Sequence, residues 1–143
     1  MYYKVYTDGG ARGNPWIAGC GIFITDTTWK AIERRYHALG KSTNNIAEYT
    51  AVKMGIARAI ELGADTIEVL SDSELVVKQL TGEYRVKNAA LKYMHDQISR
   101  MIQSWKGTIY FRHIYREENH EADRLANKAM DEYTKSTPMI HDV

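Results

Sequence analysis

The chain has 143 residues, 44% hydrophobic and 26% charged, with 19 Lys plus Arg against 18 Asp plus Glu. That length suits one domain with a buried core, and ordinary apolar content at a net charge of +1 excludes an intrinsically disordered chain. A lone cysteine, Cys20, excludes an internal disulfide framework and a multi-cysteine zinc site. No run approaches the roughly 18 apolar residues of a membrane span, and Met1 to Lys4 shows no signal-peptide pattern. A cytoplasmic monomer without membrane contact is expected.

In chain order, Tyr2 to Thr7 reads as a strand closing on Asp8-Gly9-Gly10, followed by strands over Ile17 to Thr25 and Trp29 to Leu39. Their short connections predict an antiparallel meander. The period then changes: Tyr49, Val52, Ile56 and Ile60 recur at helical spacing between Asn45 and Leu62, and Gly63 ends the helix. A strand from Thr66 to Leu70, helices over Asp72 to Leu80 and Asn88 to Gln103, a strand from Thr108 to Tyr115 and a last helix from Asn119 complete the order. The fold class is α/β, a mixed five-stranded sheet with three antiparallel strands plus two parallel, flanked by helices. Residues 1–133 are expected to form a single domain and residues 134–143 a polar tail.

The near-neutral total hides an uneven distribution. Residues 84–116 hold seven basic side chains and one acidic, an excess of six, whereas residues 117–143 hold three basic and seven acidic. Such asymmetry can form one basic stripe or a set of solvated helix faces.

Four acids fall at the ends of elements. Asp8 closes the first strand, Asp72 follows the fourth, Glu48 lies in the first turn of the first long helix, and Asp123 in the first turn of the last. Singly, each has a local explanation: a turn at Asp8-Gly9-Gly10, capping boxes at Asn45 to Glu48 and Ser71 to Glu74, an acid beside a helix dipole. Together, carboxylates brought close repel unless protonated or neutralised by a cation. Oxygen ligands without clustered His or Cys suit Mg²⁺ or Mn²⁺, and a pair of such ions is standard apparatus for phosphodiester hydrolysis.

The motifs Thr7-Asp8-Gly9-Gly10-Ala11-Arg12-Gly13-Asn14-Pro15, Thr43-Asn44-Asn45-Ile46-Ala47-Glu48, Ser71-Asp72-Ser73 and Glu121-Ala122-Asp123-Arg124-Leu125-Ala126 follow one another in this order. In them the chain resembles the type 1 ribonuclease H family (ribonuclease HI), over nearly its whole length up to about Tyr133. The resemblance implies an endonuclease that hydrolyses the RNA strand of RNA–DNA hybrids with two Mg²⁺ or Mn²⁺ ions, leaving 5′-phosphate and 3′-hydroxyl ends. It implies that Asp8, Glu48, Asp72 and Asp123 are the catalytic, metal-binding carboxylates. Gly9, Asn14, Thr43, Asn44, Asn45 and Ser73 would then approach the hybrid, where short amides and hydroxyls suit phosphate and 2′-hydroxyl contacts.

The chain departs from better-known members in three ways. Residues 81–88 run directly into the next helix, as in a handle-less branch lacking the basic protrusion, which shifts substrate contact onto Arg85, Lys87 and Lys92. Little room is left before the last acid for the His-bearing loop of many relatives, so His120, Glu118 and Glu121 are alternative auxiliaries. Glu74 stands where several relatives have Gln, and is expected to complete a cap at Ser71. Two other readings remain open on these residues: the same fold acting on double-stranded RNA, and a non-catalytic nucleic-acid-binding module. Of the remaining side chains, Cys20 and the histidines His37, His95 and His113 are expected to be structural, Trp16 to pack beneath its loop, and Trp29 and Trp105 to cover the core or sheet.

Overall fold

The computed structural model describes residues 1–13 and 16–136. Its strands are β1 (Tyr2–Arg12), β2 (Ile17–Thr25), β3 (Ala31–Lys41), β4 (Thr66–Ser71) and β5 (Thr108–His113), and its helices α1 (Asn44–Glu61), α2 (Glu74–Leu80), α3 (Ala89–Trp105) and α4 (His120–Ser136). A 3-10 turn, Arg116–Glu118, leads into α4. Asn14, expected at the substrate, lies outside the described residues, as does the tail beyond Ser136. α4 carries three residues of the expected tail.

The sheet order is β3-β2-β1-β4-β5, antiparallel across β1 to β3 and parallel from β1 through β4 to β5. Val5 on β1, Ile22 and Ile24 on β2, and Ile67 and Val69 on β4 face one side, where they meet Tyr49, Val52 and Ile56 of α1 and Ile98 of α3. Complete burial of such side chains contributes about 1.5–3 kcal/mol each, so α1 is held firmly against the sheet. α4 packs on the opposite face, over β1 to β3. Gly21 permits this close approach: a Cβ there would stand 2.2 Å from the Ala122 carbonyl oxygen.

β1 does not end at Asp8. It pairs with β2 as far as Arg12↔Ile17, while its parallel pairing with β4 stops at Thr7↔Ser71. Asp8-Gly9-Gly10, expected as a turn, is therefore strand that has outrun its β4 neighbour. The next residue on each strand is an aspartate, Asp8 and Asp72, so the end of the ladder places two acids side by side.

Candidate active site

Gly9 brings α1 to this point. A Cβ on Gly9 would lie 2.3 Å from the Ala47 carbonyl carbon and 2.4 Å from the Glu48 nitrogen, so only glycine lets the strand touch the helix where Glu48 leaves it. Glu48 is not part of a capping box. Thr43 is the N-cap, its Oγ1 accepting the Ile46 N–H at 3.2 Å, and Glu48 sits in the second turn. Freed from the cap, its buried side chain turns inward, accepts a hydrogen bond from the Gly9 N–H, and leaves Oε2 without a partner among the described residues.

Asp8, Glu48 and Asp72 each offer an oxygen within 4.8 Å of the others. Asp123, from the first turn of α4, lines the same cleft of about 460 Å³ and lies near enough to Asp8 to raise its carboxyl. Two full charges at such a distance repel by roughly 3 kcal/mol at an effective dielectric near 20, well beyond the ~0.3–1 kcal/mol that a helix end supplies. The crowding raises the carboxyl pKa values. Burial, then the charge of Asp72 and the nearness of Asp123, push Asp8 up to about 8. Burial and the charges of Asp8 and Asp72 raise Glu48 well above the usual carboxylate range. Burial raises Asp72 as well, opposed by a hydrogen bond from Asn119 and by Arg116.

Arg116 and Asn119 escaped sequence reasoning as parts of the site. Arg116 was one charge in a basic run, yet it lines the cleft and lowers Asp8, Glu48 and Asp72 together. Asn119 is buried and donates to the Thr7 carbonyl at 2.9 Å, which ties the start of α4 to β1. The short 3-10 turn between them is the device that aims both inward, and no spacing in the sequence announces it.

The expected substrate contacts divide. Asn44 lines the cleft, its Oδ1 accepting the Ala11 N–H at 2.6 Å, and its Nδ2 makes no hydrogen bond among the described residues. Thr43 and Asn45 are exposed beside it at the start of α1. Ser73, not Ser71, caps α2, accepting the Val76 N–H at 3.3 Å, and Glu74 pairs with Lys78 at 2.9 Å instead of completing a cap. Arg85 and Lys87 are exposed between α2 and α3, away from the cleft lining.

His120 and Glu121 are not brought to the acids; they line a separate shallow pocket with Tyr6, Phe23 and Trp29. Glu121 pairs with Arg34 at 3.1 Å and with Arg124, which holds its carboxyl low. The basic run does not form one stripe either. Arg116 enters the cleft, whereas Arg112 lies on the sheet face away from α1, paired with Glu68 at 2.9 Å. Trp16 and Trp29 are exposed, contrary to expectation, while Trp105 packs on the core and donates to the Ala64 carbonyl at 2.7 Å.

The reverse transcriptase-like family model matches residues 6–129. A ribonuclease H of Bartonella quintana is 30% identical, the match spanning 93% of this chain and 92% of that protein. The chain belongs to the ribonuclease H family. A bifunctional protein of Mycobacterium tuberculosis is 38% identical over 95% of this chain, which spans only 37% of that relative's length. LC11-RNase H1, solved in complex with an RNA/DNA hybrid, superposes on this ribonuclease H domain with a TM-score of 0.88 at 38% identity, over 92% of this chain and 99% of that one. No helix among the described residues is long and apolar enough to cross a membrane.

Proposed function

We propose that the chain hydrolyses the RNA strand of RNA–DNA hybrids, leaving 5′-phosphate and 3′-hydroxyl ends, with Mg²⁺ or Mn²⁺ held at Asp8, Glu48, Asp72 and Asp123. One observation carries this reading: three acids, two of them buried, converge in one cleft, and a buried Glu48 oxygen has no partner among the described residues. Hard divalent cations fit an all-oxygen donor set of this kind. When bound, a pair of such ions would activate water and stabilise the leaving oxygen.

The chain's own residues supply position and charge. The end of the β1–β4 ladder fixes Asp8 and Asp72, and contact with Gly9 fixes Glu48. Arg116 offsets part of their negative field and lets phosphate enter an acidic cleft. Thr43 uses its oxygen to cap α1, so its hydroxyl proton remains for a DNA phosphate at the helix N-terminus. Asn44, clipped to Ala11, presents its amide N–H groups to the same strand or to a 2′-hydroxyl. Gly9, Asn14, Asn45 and Ser73 complete that contact, and Arg85 and Lys87 carry the backbone further along. Shape and 2′-hydroxyls then select the hybrid, with little sequence preference.

The test is cleavage of end-labelled hybrid, duplex RNA and duplex DNA with and without metal. Metal-dependent cutting of the hybrid's RNA strand alone is expected. Equal cutting of duplex RNA would replace the substrate assignment, and binding without cutting at any metal concentration would establish a non-catalytic module.

A further inference from the structure

Parallel strands normally have both faces covered, yet on the α4 side the helix packs over β1 to β3 and leaves β4 and β5 without a substantial partner among the described residues. A groove of about 460 Å³ lies there, lined among others by Lys4, Tyr6, Trp29, Leu70, Arg112 and Glu118. Two local devices fix its walls. Glu68, buried beneath, accepts the Tyr2 hydroxyl at 3.2 Å and the Arg112 guanidinium at 2.9 Å, so its charge is used internally to orient both. Trp29 has a positive φ of 69°, strained for a bulky residue. Its turn is braced by Asp26 Oδ1, which accepts from Thr28 N and Oγ1 at 2.7 Å and from Lys30 N at 3.0 Å. The indole is 70% exposed and carries the Lys4 ammonium 4.7 Å from its ring centroid.

The surface therefore combines an exposed indole on a hydrogen-bonded turn with cations facing outward. Lys4 has no carboxylate partner among the described residues, and the Arg112 side chain is 62% exposed despite its bond to Glu68. Glu118, the acid at the rim, accepts the Tyr115 N–H at 3.1 Å. An exposed ring that can hold a flat group, beside cations that match phosphate, forms a sequence-tolerant stacking site for single-stranded nucleic acid. The groove also adjoins the acid cleft: its wall residue His113 is in register with Ser71, and Asp72 is the next residue.

We propose that this groove holds an unpaired nucleic-acid strand, a base against the exposed Trp29 ring and its phosphate on Lys4 and Arg112. The partner class rests on the reading of the chain as a nucleic-acid enzyme. The test uses the full chain in EDTA, where no cleavage occurs, with fluorescein-labelled oligothymidylate and oligouridylate of about 15 nucleotides. Trp29→Ala should weaken binding of at least one by about 5- to 100-fold, with Trp29→Phe recovering most of it, and Lys4→Gln should weaken it less and flatten its salt dependence. A loss confined to one oligonucleotide identifies the strand, DNA or RNA, that the groove takes. With metal restored, all three variants should cleave a blunt hybrid at the wild-type rate. Unchanged affinity for both oligonucleotides in Trp29→Ala and Lys4→Gln overturns the proposal, and so does displacement by inorganic polyphosphate as effective as displacement by unlabelled oligonucleotide. A wild-type chain inert on blunt hybrid would instead overturn the cleavage reading, and the binding series reads out independently of it.

Discussion

Glu33 and the acids at the end of the β1–β4 ladder handle their charge in opposite ways. Glu33 on β3 receives the Arg58 Nε at 2.6 Å and its Nη2 at 2.9 Å, with Arg35 at 2.6 Å on the same acid, and these bonds hold its carboxyl low. Asp8, Glu48 and Asp72 gather with no cation at hydrogen-bond distance among the described residues, and all three are pushed up. The chain has the means to neutralise an acid from within and does so where the acid is structural. At the end of the β1–β4 ladder it leaves the negative charge for something else to neutralise.

The contrast breaks most sharply with Asp8→Asn or Asp72→Asn. Either should lower hybrid cleavage by about 10³-fold or more, measured at saturating Mg²⁺, while circular dichroism stays that of the wild type. Retained turnover would remove these residues from the chemistry. Gly9→Ala comes next, because its Cβ would drive into the backbone of α1. A stability loss of about 3 kcal/mol in denaturant unfolding is expected, with the metal site displaced as a consequence.

The sign of the pH dependence separates the two regions. A carboxyl whose pKa is raised on folding contributes stability below its unfolded value near 4 and loses it as pH rises through the folded value, here about 8 for Asp8. The metal-free protein should therefore lose stability as pH rises from 5 to 8, and Asp8→Asn should flatten that slope. Glu33, held low, contributes above its unfolded value and loses stability only as pH falls. Arg58→Ala should give the smallest effect, about 1 kcal/mol for a partly exposed pair, with cleavage unchanged.

Much of this was legible in the sequence because periodicity and order carry it. The order of strands and helices and the helical spacing from Tyr49 to Ile60 survive in the structure, and Asp72 and Asp123 keep their places at element ends. What escaped depends on contacts between distant segments. Asp8-Gly9-Gly10 has turn composition, and only pairing with β2 as far as Ile17 keeps it extended. Glu48 looked like a capping partner for Asn45 until Thr43 proved to be the cap, two residues earlier. Arg112 and Arg116 are close in sequence, but the end of β5 and the 3-10 turn send them to different sites. His120 sits three residues from Asp123 at the very start of α4, yet it lines another pocket.

Calorimetric titration of Mn²⁺ into the metal-free wild type and into Asp8→Asn, at pH 7.5 without substrate, tests the uncompensated cluster most directly. Saturable binding to the wild type with release of protons, lost or much weakened in Asp8→Asn, is the expected result. Equal binding to both proteins, or none to either, would mean that the buried acids at the end of the β1–β4 ladder are not a metal site.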